Sequence, residues 1–433
     1  MTAWIIFLFA FIAAQIFVWK LSFFKTPKLP KWSANLILAA KVAGGIALFF
    51  IYSKHYGNRE TADVFKFFDD AKSIHSIIHE NREAGLKILF GFTDESTAKY
   101  ETYMCSWQRM MNDSLINENR LIIRLNALFL FFSFGNYFIH VLIFSSLSFL
   151  GSWFLILALS EYLSGRNARI FLLVLLLPSI TLWTSGLLKE SLINFSIGLI
   201  LWEYLKNPKR LLALFAMMLG SFILLYTRTI FGLIFLLSFI SFLLASKQIA
   251  NQKILLRYSS VFAVVLLIAV ALSQFHERFD YFKIIAQKQE LLYREASHYR
   301  ASSLVDVPRV SEQPQSLIFN LPLGFAYGLI QPTPFQADGN KLILLSGIEN
   351  MFVLVLMLFL VTQMKKPEGK RAQIFWLLIS AAVIYLSFIG LLIPVLGNLV
   401  RYKAICVTLI FAGVLLVQRG NEKQSHLHSE ETF

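Results

Sequence analysis

Hydrophobic positions in this chain mostly run together instead of alternating or recurring at a helical period. Apolar runs lie near 3–19, 34–53, 136–160, 168–185, 187–204, 211–227, 229–246, 258–274, 342–363, 374–394 and 402–418. A helix needs about 20 apolar residues to cross the hydrocarbon core of a bilayer, and a spanning segment must satisfy its own backbone. The pattern therefore predicts an all-α polytopic membrane protein of about 11 transmembrane helices. The whole of 1–418 reads as one transmembrane domain, followed by a polar tail, 419–433. The two runs that meet at Ser185–Glu190 are short, and a re-entrant pair fits them too.

Two long polar stretches interrupt the runs, about 54–135 and 275–341. Helical periodicity does emerge at 61–79, where Val64, Phe67, Phe68, Ala71, Ile74, His75 and Ile78 share one stripe. Such a helix lies on a membrane surface with the stripe inward. Asp63 and Asp70 flank the stripe, and Asp69 projects nearly opposite it. A second juxtamembrane helix is predicted at about 118–134, carrying Arg120 and Arg124 and ending at Gly135 as its C-cap. In the later stretch, Pro322, Pro332 and Pro334 with Gly324 and Gly328 argue against a straight helix. A partly buried loop folding back into the bundle suits them better.

Charge adds an orientation. The sequence is 57% hydrophobic and only 15% charged, yet its net charge is +14. In a soluble protein that surplus would suggest nucleic acid. Here the basic residues gather in short connections, among them Lys25 to Lys31, Arg166 and Arg169, Lys206 to Arg210, and Lys365 to Arg371. Positive connections stay on the cytoplasmic side. The N-terminus is then outside, the C-terminal tail cytoplasmic, and both long polar stretches are outer loops. No nucleic-acid partner is expected. No basic segment precedes the first run, so a cleavable signal peptide is not expected either. Cys105 and Cys406 give neither a disulfide framework nor a CxxC site.

Motifs that would bring a cofactor are missing: there is no GxxxxGK[ST], no GxGxxG at a strand–helix turn and no HExxH. No cofactor or metal ligand is assigned, and use of a divalent metal is left open. His75 and His79 are one helical turn apart and read as a surface pair. Ionisable groups at the membrane edge are costly and therefore functional candidates. Lys189 and Glu190 sit in TSGLLKESL, Arg228 in LLYTRTIFG, and Arg401 and Lys403 in GNLVRYK, all at predicted outer turns. That is the side which the charge rule depletes of basic residues. Together they could hold the phosphate or pyrophosphate of a lipid-linked ligand, for which Arg offers a bidentate fork. The plainer reading is that each reaches headgroups or a nearby acid, as Lys189 would with Glu190. Asp63 suits a general base that deprotonates an acceptor hydroxyl, with Asp70 the second catalytic candidate. The plainer reading of both is a solvated helix flank. Glu349, in SGIEN, is a further acid, and Lys41, in AAKVAGG, falls near mid-membrane.

With these residues in place, the layout resembles the GT-C membrane glycosyltransferases. An outer loop opens on an acidic motif, runs as two juxtamembrane helices and returns to a bundle. The stretches PSITLWTSGLLKESL, GLIQPTPFQADGN…SGIEN and GNLVRYKAICV are similar to those of bacterial envelope polysaccharide polymerases (the O-antigen-like group) or family-39-like glycosyltransferases. The resemblance covers roughly 55–410 in arrangement. It implies an inverting enzyme of the inner (plasma) membrane that takes a polyprenyl-phosphate-linked sugar donor and a glycan or lipid acceptor. It assigns the base to Asp63 and the phosphate contacts to Lys189, Arg228 and Arg401. The chain departs from the group in an extra span before the motif-bearing loop. The competing class is a transporter or flippase of a lipid-linked or anionic solute, for which the same basic turns would bind but not react.

Overall fold

The computed structural model describes residues 2–56, 59, 62–107, 117–207, 209–246, 254–274, 280–298, 301 and 303–418. The tail 419–433, Thr61, Lys247 and Lys253 lie outside the described residues. All regular structure among the described residues is helical, with two isolated antiparallel bridges and no strand. The chain divides into two compact units. The first takes the residues up to Ala158 and Leu175–Gly232; the second takes Leu159–Val174 and the residues from Leu233 on.

The first unit opens with α1 (Thr2–Lys20) and α2 (Ser33–Phe50), continued by a π-turn at Ile51–Tyr56. The first polar stretch follows as α3 (Asp63–Glu80), α4 (Arg82–Phe90), α5 (Glu95–Glu101) and α6 (Arg120–Ser133), and α7 (Tyr137–Leu159) comes next. After α8 (Gly165–Leu175), which falls mainly in the second unit, come α9 (Pro178–Trp183), α10 (Lys189–Lys206) and α11 (Leu211–Thr227). A one-residue joint, Arg228, leads to α12 (Thr229–Ser246). The second unit adds α13 (Ile254–Ser273), α14 (Tyr281–His298), α15 (Pro314–Ile330), α16 (Lys341–Thr362), α17 (Gly369–Leu392) and α18 (Leu396–Leu416).

Seven of these helices are long and apolar enough to cross a membrane: α1, α2, α7, α13, α16, α17 and α18. Leu211–Thr227 and Thr229–Leu244 are shorter apolar helices. This is the composition of a multi-pass membrane protein. On α1 and α13 most residues that could be buried are not, as expected where lipid replaces protein as the neighbour.

The predicted surface helix is α3, and its buried face is Val64, Phe65, Phe67, Phe68, Asp70, Ala71, Ile74 and Ile77. It packs along α6, which ends with Phe134 in the left-handed region and Gly135 at φ +76°. The middle of this stretch contains two short helices. Asn81 starts α4 by accepting the Ala84 N–H at 3.1 Å, and Asp94 caps α5. The polar pattern hid them because caps, not apolar period, define their ends.

In the second unit the proline-rich segment is more regular than its composition suggests. Pro314 sits in the first turn of α15, where no N–H is needed. Pro322 is accommodated inside that helix. Gly324 and Gly328 form a G-x-x-x-G face that lies against α17. A Cβ added at Gly390 would stand 1.9 Å from the Gly324 carbonyl oxygen, so the two backbones touch. The irregular fold-back begins only at Gln331. The rest of the later polar stretch is pinned to the end of α17. Gln289 of α14 donates to the carbonyls of Pro308 (2.8 Å) and Leu391 (2.6 Å) and accepts the Val310 N–H (2.9 Å).

Candidate functional site

The most charged buried place in the first unit is the interruption between α9 and α10. Residues 184–188, TSGLL, are not helical, and Gly186 takes φ +62°. Its polar backbone is satisfied by side chains. Ser145 accepts the Gly186 N–H at 3.1 Å, and Ser191 donates to the Gly186 carbonyl at 2.8 Å. Irregular backbone at membrane depth survives only with such partners. One face of α2 is cut to fit it. A Cβ at Gly44 would meet the Thr181 carbonyl oxygen at 2.5 Å, and one turn earlier Lys41 donates to Thr184 Oγ1 and to the Ile180 carbonyl at 3.4 Å. Lys41, the mid-membrane lysine of the sequence, is thus a cap on the carbonyl end of α9.

At the other edge of the interruption α10 begins with Lys189 and Glu190, both buried. The Glu190 carboxylate accepts a hydrogen bond from Arg228 Nη2 at 2.8 Å. Lys189 Nζ lies 3.7 Å from the Glu118 carboxylate and 5.8 Å from the centre of the Phe67 ring. Glu118, on the turn before α6, also accepts the Thr229 N–H at 3.0 Å. The sequence suggested Lys189 with Glu190; the structure pairs Glu190 with Arg228 and Lys189 with Glu118. Glu118 was not singled out from the sequence, and the only signal there is an acid just ahead of an apolar helix.

The balance of this cluster is more positive than its side chains alone suggest. Among the described residues two cations face two carboxylates here, and the N-termini of α10 and α12 also point to this place. Each such end acts as roughly half a positive charge. A lysine at the first position of a helix works against the dipole, and the nearby Glu118 carboxylate offsets part of the cost of its burial.

The start of α3 packs on the same interruption. Ala62, Val64 and Phe65 form one buried cluster with Leu188 and Leu48, joined by Leu182 and Trp183. Asp63 therefore stands in the first turn of a helix seated on this site. It is half-exposed, and its carboxylate lies 3.3 Å from Lys66. The other two carboxylates have local duties. Asp69 makes a two-pronged pair with Arg59 at 2.7 and 2.8 Å on the surface. Asp70 is buried and accepts the Ser106 N–H at 2.8 Å, tying the 104–107 turn to α3. Burial pushes the Asp70 carboxyl up to about 6, against the opposing pull of the Ser106 and Cys105 N–H groups.

Two further polar groups belong to the same unit. His140 of α7 bridges Ser133 (2.7 Å) and Asn126 (2.8 Å) of α6, and its ring meets Phe68 edge-on. Trp107 is flanked by Arg120 and Arg124, each about 5 Å from its ring centre (4.9 and 5.0 Å). Both arrangements lock the polar stretch onto its helices.

The remaining sequence candidates lie in the second unit. Arg401 and Lys403 were placed at a turn, but α18 starts at Leu396, so both are buried within its first two turns. Lys403 donates to the carbonyls of Leu329 (3.0 Å) and Gln331 (2.5 Å) and to Asn350 Oδ1 (2.7 Å). Asn350 in turn donates to the Ile330 and Pro332 carbonyls at 2.6 and 3.1 Å. Lys403 is thus a helix cap holding the fold-back and is removed from the set of anion-binding cations. Glu349 sits half-buried in the third turn of α16, and its charge is felt by Lys403. Arg401 stacks beside Tyr402 with 5.7 Å between guanidinium and ring centre. Among the described residues no group of three or more His, Cys, Asp or Glu side chains could hold a metal ion. No family model matches the chain, and no curated protein or solved structure is detectably similar to it.

Proposed function

We propose that this protein is an inner-membrane glycosyltransferase or oligosaccharide polymerase that takes sugar from a polyprenyl-phosphate-linked donor on the outer face for envelope glycan assembly. The observation that supports it most is the meeting of Lys189 and Arg228 with two helix N-termini at one buried interruption, on which the Asp63 end of α3 is seated. Positive groups fixed in a dry site are what a departing phosphate requires. In the proposed reaction Asp63 takes the proton of an acceptor hydroxyl, whose oxygen attacks the anomeric carbon from the face opposite the phosphate. The bond from that carbon to the phosphate oxygen breaks, configuration inverts, and the phosphate leaves with its charge held by Lys189 and Arg228. The proton remains on Asp63 until water removes it. Arg401 keeps the phosphate-contact role that the resemblance implies, Glu349 stays a further acid for substrate binding, and neither is needed for this step.

The topology that goes with this reading has about 11 crossings, the N-terminus outside and the C-terminal tail in the cytoplasm. The seven clear spans are then joined by the shorter apolar helices and by the segments around α8 to α10. One feature favours the competing transporter or flippase. A helix interrupted at a charged, buried point is a common way to build a substrate site in secondary transporters, and α9–α10 is such a helix. The lipid-linked glycans of a deletion strain separate the two. Transfer predicts intermediates that are shorter or lack a sugar and face outward. Intermediates of full size trapped on the inner leaflet would overturn transfer and favour flipping.

A further inference from the structure

We infer that the polar stretch of the first unit rests on the bilayer through an aromatic patch formed by the turn after α4 and the outer face of α6, not through the apolar stripe of α3. The partner is the phospholipid surface, and this contact is independent of the reaction proposed above.

The stripe of α3 is covered by protein. Val64, Phe67 and Phe68, which the sequence pattern turns toward a membrane, are at most 1% exposed, and α3 packs on α6 and α4. A different set of apolar side chains stays outside. Phe90 and Phe92 are 64% and 73% exposed, Phe132 is 73% exposed and Phe134 94%. Bulky apolar groups gathered in one exposed patch mark a surface that meets lipid or another protein.

Two observations gather these residues on one side. α6 buries the face that carries Ile122, Asn126, Ala127 and Ser133. At about 3.6 residues per turn, Arg124, Leu128, Phe131 and Phe132 fall on the outer face, and the last three are exposed. The turn after α4 is fixed to the beginning of that outer face. Arg124 Nε donates to the Ile88 carbonyl at 2.9 Å, and a Cβ at Gly91 would stand 3.3 Å from both Arg124 Nη atoms. Gly91 takes φ +91°, a conformation that suits glycine and turns the chain between the two phenylalanines.

What covers the patch follows from where it ends. Phe134 is three residues from Tyr137, the start of α7, which is long and apolar enough to cross a membrane. Three residues reach at most about 11 Å, so the aromatic end of α6 lies at the level where α7 enters the bilayer. Apolar side chains at that level are stabilised by burial at the headgroup and acyl boundary. Arg124, about two turns back from Phe131, is placed to reach headgroup phosphates with its guanidinium.

The test is spin-label depth in the full-length protein, reconstituted into vesicles of phosphatidylethanolamine and phosphatidylglycerol. Cys105→Ser removes the exposed native thiol, and Cys406 is buried. Labels are attached at Phe92→Cys and at Phe132→Cys, and Phe90→Cys or Phe131→Cys replaces either variant whose elution profile shows that it does not fold. A label in lipid collides more often with oxygen than with a water-soluble nickel chelate, and a label in water shows the reverse. Oxygen collisions should exceed nickel collisions several-fold at both positions, and by more at 132 than at 92. Water exposure at either position overturns the docking. A label shielded from both reagents overturns it too, because the patch is then covered by a second copy or another protein segment instead of lipid.

Discussion

Both units bury lysine, and the buried lysines keep two kinds of company. In the second unit Lys403 is surrounded by two backbone carbonyls and an amide oxygen. In the first unit Lys41 is capped onto α9 in the same manner. Lys189, only a few residues beyond that cap, faces a carboxylate instead, and so does Arg228. Carbonyls cannot be exchanged, because they belong to the helix ends that the lysine holds. A carboxylate on a side chain can be exchanged for another anion. On the proposed reading, buried cations divide into struts, Lys41 and Lys403, and candidate site residues, Lys189 and Arg228.

Breaking the comparison at its strongest point means removing Arg228. Arg228→Ala leaves the Glu190 carboxylate buried beside the gap and should cost about 3–5 kcal/mol, read as a lower melting temperature in detergent. The double change Arg228→Met with Glu190→Met should recover much of that loss, because a buried pair can be replaced by apolar groups far more cheaply than it can be halved. Next in size is the strut. Lys403→Met orphans the Gln331 carbonyl and Asn350 Oδ1 and should cost about 3 kcal/mol, while any protein that folds should keep its activity. Activity lost at unchanged stability would move Lys403 back among the site residues.

A third effect depends on pH. The Asp70 carboxyl is raised from 3.8 to about 6 in the folded protein. The folded state then binds more protons than the unfolded one between those values, so this residue's contribution falls as pH rises from about 4 to about 6. A shift of that size corresponds to about 3 kcal/mol at most. The melting temperature of the native protein should drop across that window relative to Asp70→Asn, which carries no titrating group there. A parallel course for the two proteins would contradict the burial of this carboxylate. Smallest of all is Arg59→Ala. Its pair with Asp69 is exposed and should be worth no more than about 1 kcal/mol.

Much of the fold is legible in the sequence because lipid demands uniform apolar runs. The runs at 3–19, 34–53, 136–160, 342–363 and 374–394 correspond closely to α1, α2, α7, α16 and α17. The run at 402–418 corresponds less well to α18, because the polar residues Asn398, Arg401 and Lys403 disguise its first two turns. Phase also separated Asp70 from Asp69 within α3. Partnership was not legible. Glu118 and Lys189 are far apart in the chain, and no periodicity relates an acid on a turn to a lysine at a helix start. Lys403 carries the same charge as Lys189 and is as buried, and the carbonyl ends beside it reveal a cap. The G-x-x-x-G of α15 is visible in the letters, but its meaning depends on Gly390 standing opposite.

The central claim is that the Lys189–Arg228 cluster carries the phosphate chemistry. It is tested most directly by the lipid-linked glycans of cells that carry only the Arg228→Met, Glu190→Met protein, checked for normal membrane insertion and melting temperature. The account predicts accumulated lipid-linked intermediates and loss of surface glycan from a protein that is still folded. A normal surface glycan from that folded double variant would contradict it.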